Sequence, residues 1–401
     1  LSNTLVTCSI VAKEALAVLE NMLGFSAAVN RDWEDEFAGN QSRGYSTGQT
    51  INIKRPPRYT YRAGRVAVPQ ATVENTVPLT LSQGGVDLNF TSLERTLSLQ
   101  QLEGKLQAAM ATVANEIDRQ GCQLARLATP NVIGTPGTLP TTQALALQAI
   151  TEVNRRLDDN AAPRDKMRAM IMNPALNAAT IQGFAGLFNG QDKISKQFGS
   201  GLMVDSLGLT YAMDQNVDTH VNGSQAVTGT AVAAGLSGAS IACTALGGTI
   251  TRGTKISFPG VFAVNPQSRV STGVLAQFTI TADLAAGATA LPISPAIIPS
   301  GAFQNVSNAT TAANFTIFGT ASGSYGASVG FHKDAFTLAM VPMWAPPGGK
   351  GVIDVAQESY KGFNLKVTEF YDGVNDNSIM RIDVLFGWAA TYPELSCLYA
   401  T

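Results

Sequence analysis

The sequence predicts an α+β chain in which a small, nearly uncharged β module interrupts a larger mixed domain. Three observations carry this expectation. An apolar stripe at steps of three and four runs from Leu99 to Leu127, the signature of one long helix. Period-two alternation marks 47–68, 72–90, 362–372 and 378–391 as strands. Between Val221 and Gly330 the only charged side chains are Arg252, Lys255, Arg269 and Asp283, and short β runs broken by Gly and Pro replace any helical stripe.

Each element follows in turn. Residues 9–23, SIVAKEALAVLENML, put Ile10, Val11, Leu16, Leu19 and Leu23 on one helical face. With little beside it to pack on, this helix reads as an arm. The acidic run RDWEDEF (31–37) lacks the spaced ligands and turn glycine of a calcium loop, so a solvated face is expected for Asp32, Glu34, Asp35 and Glu36. The alternating runs of 47–90 form one long hairpin. It carries Lys54, Arg55, Arg58, Arg62 and Arg65 but few large apolar residues. A lone two-stranded ribbon is marginal in water, so this one is expected to lie on something else.

The helix over 99–127 would be about 43 Å long at about 1.5 Å per residue, although Gly104 and Gly121 weaken it. It ends at the breaker region TPNVIGTPGTLP (129–140). A second helix fits 141–157, with Leu145, Ile150, Val153 and Leu157 inward. KMRAMIMNPALNAATI (166–181) reads as a buried strand stopped at Asn173-Pro174, with a helix starting behind the proline. After the β module, strands return at 336–343, 362–372 and 378–391, the last two pairing around Gly373-Val374-Asn375-Asp376.

Composition excludes several functions. Charged residues make up 14% of the chain and apolar ones 45%, which suits a protein that buries its surface against copies of itself. A net charge of −2 supplies no field for wrapping nucleic acid. No apolar run reaches the roughly 18 residues of a membrane span. The Leu-Ser start implies residues preceding Leu1. Cys8, Cys122, Cys243 and Cys397 are far apart and read as reduced thiols. His220 and His332 lack a metal-ligand context and are expected at the surface or in turns. GLSGA (235–239) lacks the last glycine of a nucleophile elbow, and no phosphate-binding glycine loop occurs. No catalytic residue, metal site or cofactor is expected. With only Tyr59 and Tyr61 as stacking groups, the basic hairpin fits protein docking better than nucleic-acid binding.

The module supplies the most specific signal. RGTKISFPGVFAVNPQSRVSTGVLAQFTITADL, followed by ISPAI and QNVS, resembles the insertion domain of the major coat proteins of short-tailed, Salmonella-type bacteriophages. GQTINIKRPP, MIMNPALNAA, GLMVDSLGLTYAMDQNV (201–217) and RIDVLFGWAATYPEL (381–395) agree in kind, and the resemblance covers nearly the whole chain. It implies the common capsid fold of tailed bacteriophages and herpesviruses, with a small β-barrel inserted. On that pattern the N-terminal arm is 1–46, the extended loop 47–90, and the peripheral domain with its spine helix 91–137. The axial domain is 138–220 and 331–365, split by the barrel at 221–330, and peripheral strands close the chain at 366–401.

The function the resemblance implies is that of a major capsid protein. Hexamers and pentamers would close an icosahedral shell around double-stranded DNA, without sequence-specific binding. The protein would be located in the virion and assembled in the bacterial host cytoplasm. Implied partners are the chain itself, a scaffolding protein during assembly and a portal protein at one vertex; no membrane is involved. Candidate inter-subunit contacts are Lys54, Arg55, Arg58, Arg62 and Arg65 against Glu103 and Glu116 of a neighbour. Glu14 and Glu20 are the candidate scaffold-docking residues. Two rivals are an encapsulin-like compartment shell, against which the insertion argues, and a secreted β-rich adhesin or enzyme, which would want a signal sequence and, if an enzyme, an active site.

Overall fold

The computed structural model describes residues 24–34, 36–37, 48–91, 102–184, 207–308, 313–344, 352–360 and 363–401. These fall into two compact units. One gathers the described residues of Leu1–Ile53, Val77–Gly121 and Thr337–Ala389, the other Lys54–Thr76, Cys122–Phe336 and Ala390–Thr401. Among the described residues, no helix is long and apolar enough to cross a membrane.

The first unit is built on a five-stranded antiparallel sheet. Its order is Thr337–Met340, Asn377–Ala389, Phe363–Asp372 and Val352–Tyr360, with Ser82–Thr91 also paired to Asn377–Ala389. The expected ribbon forms around Gly373–Asp376: Asp372 pairs with Asn377, and the Asp372 carboxylate accepts from the Val374 N–H at 2.9 Å. Alternation sets the faces, since Met380, Ile382, Val384 and Phe386 are buried while Arg381 is exposed.

The long hairpin is corrected here. Only Thr50–Arg55 and Asn75–Thr80 form a ladder, and residues 56–74 contain no strand. Pro56, Pro57 and Pro69 remove the donors such a ladder needs. Ser82–Thr91, expected to be part of the returning arm, instead takes its partner from the C-terminal ribbon over ten consecutive residue pairs. The base of the hairpin is also less bare than expected. Ile51, Ile53, Leu79 and Leu81 are buried in a cluster with Phe37, Ala339, Val341 and Ala389.

Helix α1, Leu102–Ala128, realises the long stripe, burying Met110, Val113 and Ile117. Gly121 has a packing reason to be glycine. A Cβ there would sit 2.6 Å from the Trp388 ring and 2.7 Å from Phe25. One turn earlier Asp118, buried, accepts hydrogen bonds from Gly24 N at 2.6 Å, Ser26 N at 3.0 Å and the Ser26 hydroxyl. The acidic run is not uniformly solvated either: Asp32 is exposed, but Glu34 pairs with Arg31 at 2.9 Å and accepts from Met340 N.

The second unit holds two sheets. A six-stranded mixed sheet runs Asn131–Gly134, Ser396–Ala400, Ser324–His332, Arg168–Met172 and Thr210–Met213, with Thr219–Val221 beside Ser324–His332. Helices α2 (Gln143–Asp159) and α3 (Pro174–Phe184) contribute Ile150, Val153, Leu157, Leu176 and Phe184 to the core shared with Met170 and Met172. Asn173 Oδ1 accepts from Leu176 N at 2.7 Å, which with Pro174 starts α3 as the sequence predicts. Leu145, expected inward, is 44% exposed.

The other sheet is the low-charge module. Its seven strands are antiparallel, in the order Thr228–Ala231, Asn314–Ile317, Lys255–Val264, Ser271–Ile280, Ala290–Ile297 and Gly238–Ala242, with Val306–Ser307 on Lys255–Val264. The two end strands are tied by a Val232–Cys243 bridge and by Thr244 N donating to Ala231 O at 2.9 Å. Phe258, Phe278, Ile280, Leu291 and Phe315 fill a core of its own. Three stretches fall elsewhere than the sequence places them. Residues 324–330 belong to a buried strand of the six-stranded sheet, as does Ser396–Ala400, and strands of 337–360 build the first unit. A local pattern can mark a strand but does not name its sheet.

Candidate assembly surfaces

The five cations of the extended loop separate into three groups. Lys54 pairs with Glu74 at 2.9 Å, both exposed. Arg55 and Arg58 share one carboxylate, that of Glu394 in the Pro393–Leu395 turn, each guanidinium 3.9 Å from a different oxygen. Arg55 also lies 5.3 Å from the Tyr392 ring centroid, and Arg58 lies 5.9 Å from that of Phe303. Arg269, from the turn between the two longest module strands, donates to Tyr59 O at 2.7 Å. Arg55, Arg58, Phe303, Tyr392 and Glu394 border a groove of about 380 Å³.

Beyond Tyr59 the loop's hydrogen bonds, among the described residues, stay within it. Gln70 exchanges hydrogen bonds with the Thr60 backbone at 2.7 Å, and Arg62 donates to Val66 O at 2.7 Å and to Gly64 O. Arg65 makes no ion pair or hydrogen bond among the described residues. The tip presents Tyr61 at 95% and Val66 at 80% exposure.

Of the acidic candidates, Glu116 lies on α1 and is half exposed. It accepts from Arg119 at 2.7 Å and from Gln120 at 2.7 Å, and the Arg119 hydrogen bond holds its carboxyl below the ordinary range. The side chain of Glu103 and all of Glu14 and Glu20 lie outside the described residues.

The module is seated by polar groups that the sequence does not single out. Lys255, fully buried, donates from Nζ to Arg126 O at 2.8 Å and to Thr279 Oγ1 at 2.9 Å. Burial first, and then Arg126, holds this amine well below the ordinary lysine range. Gln277 brackets Val132, accepting from its N–H at 2.8 Å and donating to its carbonyl at 2.9 Å. Thr279 Oγ1 donates to Thr129 O at 3.0 Å.

Both histidines depart from expectation, being 1% exposed. His220 Nδ1 lies 2.9 Å from Arg126 Nη1 and Nε2 lies 3.2 Å from Thr254 Oγ1, while Arg126 pairs with Asp218 at 2.6 Å. Burial, Arg126 and Lys255 push its pKa down to about 4. His332 Nε2 stands 3.1 Å from Asp165. Among the described residues, no cluster of three His, Cys, Asp or Glu side chains is arranged to hold a metal ion. One signal for the seat was present: Lys255 is the lone lysine among the four charged residues of the module.

The family model described as "P22 coat protein - gene protein 5" matches residues 73–397. A solved structure from Mycobacterium phage Che8 is 12% identical, covers 94% of this chain and 90% of its own, and superposes with a TM-score of 0.50. The capsid structure of Cyanophage P-SCSP1u is 10% identical, with coverage of 89% and 84% and a TM-score of 0.45. The mature capsid of bacteriophage PhiM1 is 10% identical, with coverage of 88% and 82% and a TM-score of 0.42. No curated protein matches.

Proposed function

The chain belongs to the P22 coat protein family and is the major capsid protein of a tailed phage, a subunit of an icosahedral shell; we propose how its parts divide that work. Subunits group into hexamers and pentamers, and the extended loop lies across α1 of a neighbour. The unit containing Thr337–Ala389 and the first part of α1 is the peripheral domain. The six-stranded sheet is the axial domain, and the seven-stranded module is an inserted barrel. The module's separate core and its tied end strands support the last assignment.

The observation that carries the loop assignment is its exposed tip. Tyr61 and Val66 offer apolar surface that is nearly fully exposed, and burying such surface repeatedly across a shell sums many modest contacts. Arg62 and Arg65 are assigned to pair there with Glu103 and Glu116 of the neighbouring copy. Electron microscopy of purified particles tests the shell, with closed shells expected. Arg62→Glu with Arg65→Glu should raise the unassembled fraction in a sedimentation profile; wild-type shells from that variant would remove the pairing. Glu14 and Glu20 are assigned to a basic end of a scaffolding protein, and a portal occupies one vertex. The paired Glu→Lys substitutions at those two positions should lower co-assembled scaffold.

A further inference from the structure

The groove at the base of the extended loop is electrostatically unfinished. Arg55 and Arg58 border it, Arg269 lines an adjoining hollow that shares Arg58 and Glu394, and Glu394 is the carboxylate that answers Arg55 and Arg58, at 3.9 Å from each. The Nε atoms of Arg55 and Arg269 are buried and have no hydrogen-bond partner. A buried donor without an acceptor costs more than a bond gains. The arrangement therefore holds the loop base down loosely and leaves donor capacity unused. The pairs are partly exposed, with Glu394 at 29% and Arg58 at 37%, which makes them weak and exchangeable.

We propose that this arginine groove is a carboxylate-receiving site for a second copy of this chain, held shut in the isolated subunit by Glu394. The occupant follows from charge: two guanidiniums sharing one carboxylate, with a third, that of Arg269, lining the adjoining hollow, call for another acid, and a shell subunit meets copies of itself at every contact. The inference rests on the capsid reading. In the unassembled subunit Glu394 restrains residues 55–59 through Arg55 and Arg58, while Arg269 holds the Tyr59 carbonyl. On assembly an acidic side chain of the neighbour takes over the guanidiniums, and the loop base is released to follow its tip. Glu394 is thus a latch that raises the concentration at which shells form.

Glu394→Gln keeps the shape of the side chain and removes its charge. In unassembled subunits it should speed tryptic cleavage after Arg58 with an unchanged melting temperature. It should also lower the subunit concentration needed for shells by about two- to five-fold at low salt. The difference should vanish near about 1 M salt, where surface pairs are screened. Phe303→Leu, which removes the ring beside Arg58, should act in the same direction and more weakly, and serves if the first variant folds poorly. Unchanged cleavage overturns the latch. Faster cleavage with slower assembly also overturns it, because Glu394 would then be preorganising the loop for its neighbour. Shells seen by electron microscopy in every arm keep this test apart from the capsid reading, which fails only if wild-type subunits form none.

Discussion

Two regions of the second unit use the same chemistry to opposite ends. At the seat of the module, a buried amine and a partly buried amide close on backbone groups: Lys255 on Arg126 O and Gln277 on both polar atoms of Val132. At the loop base, two arginines meet one carboxylate at 3.9 Å with solvent beside them. The first joint is short and satisfied, so breaking it strands buried polar groups such as those of Val132. The second is long, wet and under-satisfied, so it can be exchanged. A capsid subunit needs both kinds, one to keep its shape and one to give way to a neighbour.

The sharpest way to break this contrast is to compare a core residue of the module with an exposed residue of the loop. Phe278→Ala removes a buried ring packed 5.6 Å from that of Phe258. It should destabilise the subunit by about 3–5 kcal/mol in urea unfolding. Tyr61→Ala, at an exposed loop tip, should stay within about 0.5 kcal/mol while reducing assembly. Equal losses of stability from the two would erase the distinction.

Acid should separate the regions next. His220 binds its proton at about 4 in the folded state against 6.5 for an ordinary histidine. The unfolded chain therefore takes up that proton first. The stability this provides is complete above pH 6.5, is lost as pH falls toward 4, and amounts to about 3 kcal/mol at most. Unfolding of unassembled subunits between pH 7 and 4 should follow this slope. His220→Gln should flatten it, and an unaltered slope in that variant would assign the titration to another group.

Gln277→Ala should cost about 2 kcal/mol, since it leaves the N–H and carbonyl of buried Val132 without their partner. Thermal unfolding that matches wild type would mean water replaces the amide and the seat is wetter than it looks. The smallest effect belongs to the loop. A double-mutant cycle on Arg58 and Glu394 in unassembled subunits should give a coupling below about 1 kcal/mol that disappears at high salt. A larger, salt-insensitive coupling would make the loop base a second permanent joint.

Much of this was legible in the chain. The stripe of Met110, Val113 and Ile117 specifies α1, because 3.6-residue periodicity is a property of neighbours along the sequence. Asn173-Pro174 specifies a strand end and a helix start, because the cap and the missing N–H act locally. The basic loop could be picked out, yet Glu394, the residue that answers Arg55 and Arg58, could not. It sits in a short turn near the opposite end of the chain, and no local pattern links them.

The same division holds for the fold as a whole. Local periodicity by itself determined α1, α2 and most of the strands, residues 56–74 excepted, and that the low-charge centre is a β module. Only the tertiary structure decided that Ser82–Thr91 leaves its hairpin for Asn377–Ala389, and that Ser324–His332 joins Arg168–Met172 rather than the module. It alone decided that both histidines and Lys255 are buried. Alternation tells a strand which face is apolar, and a side chain what it would prefer. The partner strand, and whether a polar group finds acceptors away from water, depend on residues brought together by the packing of the entire chain.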